Sequence, residues 1–308
     1  MTKAIAFNEY GDLDVLRPAD IELPAPGPGQ VRVAVRAVGV NPLDHKVRSG
    51  AMVDIFPVTF PAVPGYELSG VVEAVGQGVS GFAPGDEVFG AVMGGAYAEQ
   101  ALVPAEQLGR KPASLGWEEA AAIPVAAETS ERALDVLGVQ PGETLLVHGA
   151  AGGVGTVLLQ FARARGITVI GTASEANHDH LRALGAIPVT YGDGLAERVR
   201  AVAPGGVDRV LDAVGQGGVL PLSVELAGSA DRVLTIADFV GAEQHGIRFT
   251  GGTETVLYHQ RAYATALALH EAGTLRLPLH RVLPLAEAAE AQRISEGGHL
   301  RGKVVLTV

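Results

Sequence analysis

The chain has 308 residues, long enough for a large core and two domains, and its 47% hydrophobic and 19% charged content describes a folded globular protein rather than a disordered one. A net charge of −11 disfavours nucleic acid or an anionic membrane as the main partner. With no cysteine there is no disulfide, no thiolate metal site and no cysteine nucleophile.

Met1-Thr-Lys is followed by strand-like alternation rather than a long apolar signal segment, so a cytoplasmic location is expected. Lys3 to Phe7 reads as a strand, Gly11-Asp12 as a turn and Ala25 to Gly29 as a rigid Pro/Gly loop. Val31, Val33, Val35 and Ala37 alternate with partly charged residues up to Val40, the pattern of a half-exposed strand. Val71 to Val75, Glu87 to Ala91 and Ala98 to Val103 read the same way, with a turn-rich stretch from Gly76 to Gly85. Short strands between Gly/Pro turns predict a small barrel-like β domain. From Trp117 the pattern becomes helical, and Glu131 to Leu137 is a second helical stretch.

The stretch from Thr144 to Ser174 organises the rest. Leu145 to Val147 suits a strand buried on both faces, and Gly149 to Gly155 is too rich in glycine for a strand or a helix interior. Val154, Val157, Leu158, Phe161 and Ala162 then recur at the spacing of one helix face, and Thr168 to Thr172 is a second strand. Strand, glycine turn, helix and strand make a βαβ unit. Its turn is suited to phosphate, because N–H groups at a helix N-terminus lack intrahelical partners and carry partial positive charge. Ala150, Gly152 and Gly155 fill the three positions of the dinucleotide fingerprint, as A-x-G-x-x-G, with Gly153 and Val154 between them. Thr144 to Ala162 carries no charge, but four glycines in its middle and an amphipathic continuation argue against a membrane span.

The second strand ends in Gly171-Thr172-Ala173-Ser174, small and neutral where NAD enzymes place an Asp or Glu. That favours NADP, although Glu175 follows at once and leaves NAD open; Asn177, His178 and Arg182 are nearby polar candidates. Val207 to Val214, Arg232 to Ala237 and Ile247 to Phe249 continue an alternating α/β series. A helix from about Leu257 to Ala272 and a closing strand from Lys303 to Val308 end the chain. The expected class is mixed α/β: a β-rich domain and a doubly wound parallel sheet.

Several stretches together resemble the medium-chain dehydrogenase/reductase superfamily, and its zinc-free quinone oxidoreductase branch in particular. They are Val40 to Asp44, Pro64 to Gly70, Pro84 to Val88, Gly95 to Glu99, Ala150 to Gly155 with Gln160, and Arg301 to Val305, in the family's order. The resemblance implies a GroES-like domain over residues 1–122, completed by 267–308, and a Rossmann domain over 123–266. It also implies NADPH as cofactor and a homodimer. Zinc-dependent relatives place Cys and His ligands near the segments that here hold Asn41 and Tyr66, so catalytic zinc is not expected. The nine histidines show no helical ligand spacing; His148 reads as a buried, hydrogen-bonded residue, and His178 and His180 as a solvated helix start.

Without a metal, the natural chemistry is hydride delivery to an electrophilic carbon of a quinone or an α,β-unsaturated carbonyl, whose developing negative charge needs a donor. Asn41 resembles the polar residue that the family places near the nicotinamide, or it is a turn residue before Pro42. Asp44 is a candidate for orienting a ribose hydroxyl or relaying protons, and equally for capping the segment that follows. Lys46 stands where many quinone reductases carry a Tyr; Lys46 and Arg48 make the entrance cationic or, as the simpler reading, are two solvated charges. By resemblance, Thr129 lies near the nicotinamide amide and Tyr191 borders the adenosine end. Tyr191 is otherwise a packed strand-end aromatic. Lys303 is a cation in reach of the cofactor, or an ordinary edge-strand lysine. Three activities remain open: an NADPH-dependent quinone or enone reductase, an enoyl reductase working on an acyl or polyketide-like intermediate, and a crystallin-like or sensor protein that binds NADPH without turnover.

Overall fold

The computed structural model describes residues 1–215, 218–251 and 258–308. The chain divides into two compact units, 1–125 with 277–308 and 126–276.

In the first unit, β1 (Thr2–Ala6) pairs antiparallel with β2 (Arg17–Ile21). Then come β3 (Gln30–Val40), helix α1 (Pro42–Arg48), β4 (Glu67–Val75), β5 (Glu87–Ala91), β6 (Gln100–Pro104) and β7 (Leu108–Arg110). Strand β3 alternates as expected through Val35 and is then buried on both faces from Ala37 to Val40. The reason lies in its packing. Ala37 and Val305 meet Ala121 and Ala122 of α2 (Trp117–Leu137), which covers the outer face of the sheet there. Strand β4 starts at Glu67, four residues before the expected Val71, because Glu67 to Gly70 is buried and paired with β5. The two helical stretches expected between Trp117 and Leu137 are one helix with Pro124 inside it. Proline brings no N–H and crowds the preceding turn, and the next donor, Val125 N–H, leaves the helical pattern to bond Glu67 Oε2 at 2.8 Å.

The second unit holds a parallel sheet. Its elements are β8 (Thr144–His148), α3 (Gly153–Ala164), β9 (Thr168–Ala173), α4 (His178–Ala183), β10 (Ile187–Thr190), α5 (Leu195–Val202), β11 (Arg209–Asp212), α6 (Val219–Ala227), β12 (Val233–Thr235), α7 (Phe239–His245), β13 (Arg248–Phe249) and α8 (His259–Glu271). The strand order is β10-β9-β8-β11-β12-β13, so the chain winds one way from β8 and then back to its other side. That reversal leaves a crevice beyond the carboxyl ends of β8 and β11, the place where such sheets bind ligands. The strand read as Val207 to Val214 is shorter, and the residues after Asp212 form a loop. Leu257, where α8 was expected to begin, lies outside the described residues.

The chain then returns to the first unit with β14 (Leu279–Pro284), α9 (Ala288–Gly297) and β15 (Lys303–Thr307). Strand β15 pairs with the second half of β3, completing a seven-stranded sheet of order β14-β15-β3-β4-β5-β7, with β6 on the first half of β3. Its core is largely aliphatic, built on Val31, Val33, Leu68, Val72, Val88 and Leu306, with Phe7, Tyr66 and Tyr97 packed among them. Among the described residues no helix is long and apolar enough to cross a membrane.

Candidate functional site

The glycine turn is made of backbone. Gly149 has φ +76° and sends its N–H to Thr172 Oγ1 at 3.3 Å, while Ala150 N–H reaches Thr172 C=O at 3.1 Å, so the turn is pinned to β9. Gly152 is the N-cap of α3 and offers no side-chain acceptor. The first helical bond there is Thr156 N–H to Gly152 C=O at 2.8 Å. The N–H groups of Gly153, Val154 and Gly155 come before it, which leaves them to an external acceptor. The glycines differ in what a side chain would meet. A Cβ on Gly155 would lie 2.5 Å from Gly149 C=O and 2.6 Å from Ala150 Cα, so this glycine permits close packing of helix on strand. A Cβ on Gly152 would meet only Gly149 C=O, at 3.5 Å; the space in front of it is open. A turn with bare N–H groups and an open front fits a pyrophosphate.

The other predicted cofactor residues of this unit stand around the same end of the sheet. Ser174 follows β9 and accepts from Asn177 Nδ2 at 3.3 Å, and Glu175 beside it is exposed. Tyr191 follows β10, is 45% exposed, and sits on a loop held by Arg198, whose guanidinium donates to the carbonyls of Thr190, Tyr191, Gly192 and Asp193. Thr129 lies in α2, buried, with its hydroxyl 3.3 Å from Glu128 Oε2. The next residue, Ser130, donates to Val154 C=O at 3.2 Å and so ties α2 to the start of α3. Glu128, the residue before Thr129, has no role assigned from the sequence. It is a buried carboxylate paired with Arg132 at 2.7 Å, and burial raises its pKa despite that partner. Asp212, also missed, takes the N–H groups of Val214 and Gly215 and the Thr235 hydroxyl, and so shapes the loop after β11.

His148 is buried as expected, 3.1 Å from Ser223 Oγ, and burial pushes its pKa down to about 4, so the ring is neutral. His178 and His180 are not a solvated start: they reach Thr190 Oγ1 and Thr156 Oγ1. The expectation fails because neighbouring strand and helix ends fold over them.

The first unit holds a cluster built from side chains. Asn41 N–H donates to Asp44 Oδ2 at 2.9 Å, closing a capping box over Pro42 at the start of α1. Asn41 Nδ2 donates to Glu67 Oε1 at 2.9 Å, and Lys303 Nζ donates to both Asn41 Oδ1 and Glu67 Oε1 at 2.5 Å. Tyr97 OH donates to Asp44 Oδ2 at 2.8 Å. Glu67 is fully buried and Lys303 nearly so, so the Lys303 ammonium is held inside the unit by Asn41 and Glu67. The structure thus joins Asn41, Asp44 and Lys303, and adds Glu67 and Tyr97, which lie within the stretches that resemble the family. Arg48, read as solvated, is only 1% exposed and bonds Gly11 C=O, Gln292 and Glu296. It is buried because α9 packs across α1 and supplies Gln292 and Glu296 as acceptors.

Asp44 also lines a cleft of about 290 Å³ walled by Val47, Val58, Val63, Tyr66 and Met93 among others. Its Oδ1 has no hydrogen-bond partner. Desolvation by burial raises its pKa to about 7, against the lowering pull of the Asn41 N–H, the Tyr97 hydroxyl and the Lys303 charge, with Glu67 adding to the rise. A carboxyl that titrates near neutrality beside a cleft can give and regain a proton at physiological pH. Among the described residues no three His, Cys, Asp or Glu side chains are grouped to hold a metal ion.

The Alcohol dehydrogenase GroES-like domain family matches residues 27–113, and the Zinc-binding dehydrogenase family matches residues 184–306. The chain is 32% identical to the quinone oxidoreductase of Homo sapiens, over 99% of this chain and 98% of that one. It is 37% identical to a pikromycin polyketide synthase component of Streptomyces venezuelae, covering 94% of this chain but 8% of the synthase. Among solved structures, a mycobacterial protein in complex with NADPH superposes with a TM-score of 0.87, at 29% identity and with 100% of both chains covered.

Proposed function

The chain belongs to the quinone oxidoreductase branch of the medium-chain dehydrogenase/reductase superfamily, and from that premise we propose that it reduces a quinone or an α,β-unsaturated carbonyl with NADPH. The observation that carries this reading is the glycine turn, with bare N–H groups at the start of α3 and open space before Gly152. Gly152 to Gly155 would take the pyrophosphate, Ser174, Asn177 and Tyr191 the adenosine end, and Thr129 the nicotinamide amide. Bound there, NADPH supplies a hydride. The neutral end of β9 and the solvent-facing Glu175 support NADPH over NADH, and the mycobacterial relative's complex agrees with that choice.

The chain's own residues handle the proton. When a hydride adds to the β-carbon of an enone, the electron pair of the C=C bond moves to the carbonyl oxygen, and the α-carbon then needs H⁺. Protonated Asp44 gives that proton and is recharged from water through the cleft. Asn41 acts indirectly, because its amide already serves Glu67 and Lys303. The reaction proceeds without zinc in this reading: Asn41 and Tyr66 replace the expected ligands, and the buried Lys303 ammonium already occupies the oxygens of Asn41 and Glu67. A homodimer in the cytoplasm completes the proposal.

The 37% identity to a polyketide synthase component, and a cleft walled largely by aliphatic side chains, favour an acyl enoyl substrate as the second reading. Steady-state NADPH oxidation with panels of quinones, simple enones and enoyl thioesters separates the two. NADPH binding with no turnover on any panel would replace both with the binding-protein reading.

A further inference from the structure

We propose that Glu67 and Lys303 form a positioning pair for Asp44, an internal carboxylate and ammonium that fix Asn41 and whose opposed charges balance at the Asp44 carboxyl. The inference rests on the reading of Asp44 as the proton donor. Neither residue lines the cleft, so neither meets the substrate there.

The geometry is a closed triangle. Lys303 Nζ bonds Asn41 Oδ1 and Glu67 Oε1, and Asn41 Nδ2 returns to Glu67 Oε1. The second Glu67 oxygen is anchored by Val125 N–H, the donor released beside Pro124. Gly39 packs so closely on Glu67 Oε1 and Ala121 C=O that any side chain there would displace the carboxylate. Asn41, locked from both ends of its amide, then presents its backbone N–H to Asp44 Oδ2 at 2.9 Å. Three strands and a helix thus aim one carboxyl.

Stability alone does not explain such a pair. A buried ion pair rarely improves on well-packed apolar residues of the same volume, because both charges lose their hydration. Its electrostatic effect on Asp44 is specific: Lys303 favours the ionised form and Glu67 the protonated form. The other groups around Asp44 are the hydroxyl of Tyr97, the phenol of Tyr66, His45, Lys46 and Arg48 on its own helix, and, from α9, the neutral Gln292 and the Glu296 carboxylate that pairs with Arg48.

The test is the titration of Asp44 followed by infrared carboxyl absorption in the cofactor-free protein, with the band assigned by its loss in Asp44→Asn. It needs no turnover, so it stands whether or not the chain proves to be a reductase. Wild type is expected to titrate at about 7. Glu67→Gln removes the charge that favours protonation and should lower the midpoint by about one pH unit or more. Adding Lys303→Met to that variant removes the opposing charge and should bring the midpoint back toward wild type. The pH limb of kcat should move in step, with kcat reduced roughly tenfold as positioning is loosened and the NADPH Kd unchanged. A purely structural role would lower the melting temperature and leave the midpoint in place. A folded Glu67→Gln with an unshifted midpoint overturns the proposal. If that single variant does not fold, the double variant decides alone, and a midpoint displaced from wild type overturns it.

Discussion

The glycine turn and the buried cluster around Asp44 solve opposite problems. The turn works by leaving things out: no side chain at Gly152, no acceptor at the N-cap, no carboxylate at the end of β9. The cluster works by adding them, with five ionisable or amide groups interlocked inside the unit. A site made of backbone must be contiguous in sequence, whereas a site made of side chains can be gathered from anywhere. Here Asn41, Glu67, Tyr97 and Lys303 come from four separate segments.

The largest expected effect breaks the first region. Gly152→Val should abolish NADPH binding while the melting temperature stays near wild type, because its side chain enters open space. Gly155→Val should also lose binding but destabilise the fold by about 1–3 kcal/mol through overpacking against Gly149 and Ala150. Calorimetric titration and thermal melts check both; a folded Gly152→Val with normal affinity would move the phosphate elsewhere. Next comes the second region. Asp44→Asn should cut kcat by on the order of 10²-fold or more and leave the NADPH Kd within a few-fold.

Smaller effects sharpen the contrast. Asn41→Ala removes one of the two acceptors of a buried ammonium and should cost about 1–3 kcal/mol of stability. Urea melts measure that cost, and an unchanged midpoint would show that the triangle tolerates its loss. Dialysis against a strong chelator should change nothing. Loss of activity that added zinc restores would contradict the metal-free reading.

The same contrast explains what the sequence made legible. The turn could be read in full, because apolar strand, glycines and amphipathic helix lie within one stretch from Thr144 to Ser174. The strands of the first sheet were legible where one face is wet. They were misjudged where α2 covers the second face, as from Ala37 to Val40, or where a charged residue opens a buried strand, as at Glu67. Asn41, Asp44 and Lys303 could be named only by resemblance, and their mutual contacts could not, since nothing local records that β15 returns to lie beside β3. Arg48 looked solvated for the same reason: its partners, Gln292 and Glu296, are more than two hundred residues away. Glu67 stands four residues before the strand read from Val71, and no local pattern marks it as buried.

The central claim is that Asp44 supplies the proton that follows the hydride, and the pH dependence of kcat with NADPH and an accepted enone tests it most directly. An acid that works in its protonated form is fully active below its pKa, and the rate should fall about tenfold per pH unit above it. With Asp44 at about 7, wild type should show a plateau in mild acid and a falling limb through neutrality, and Asp44→Asn a low rate without that limb. A wild-type limb retained unchanged in a fully active Asp44→Asn would contradict the account.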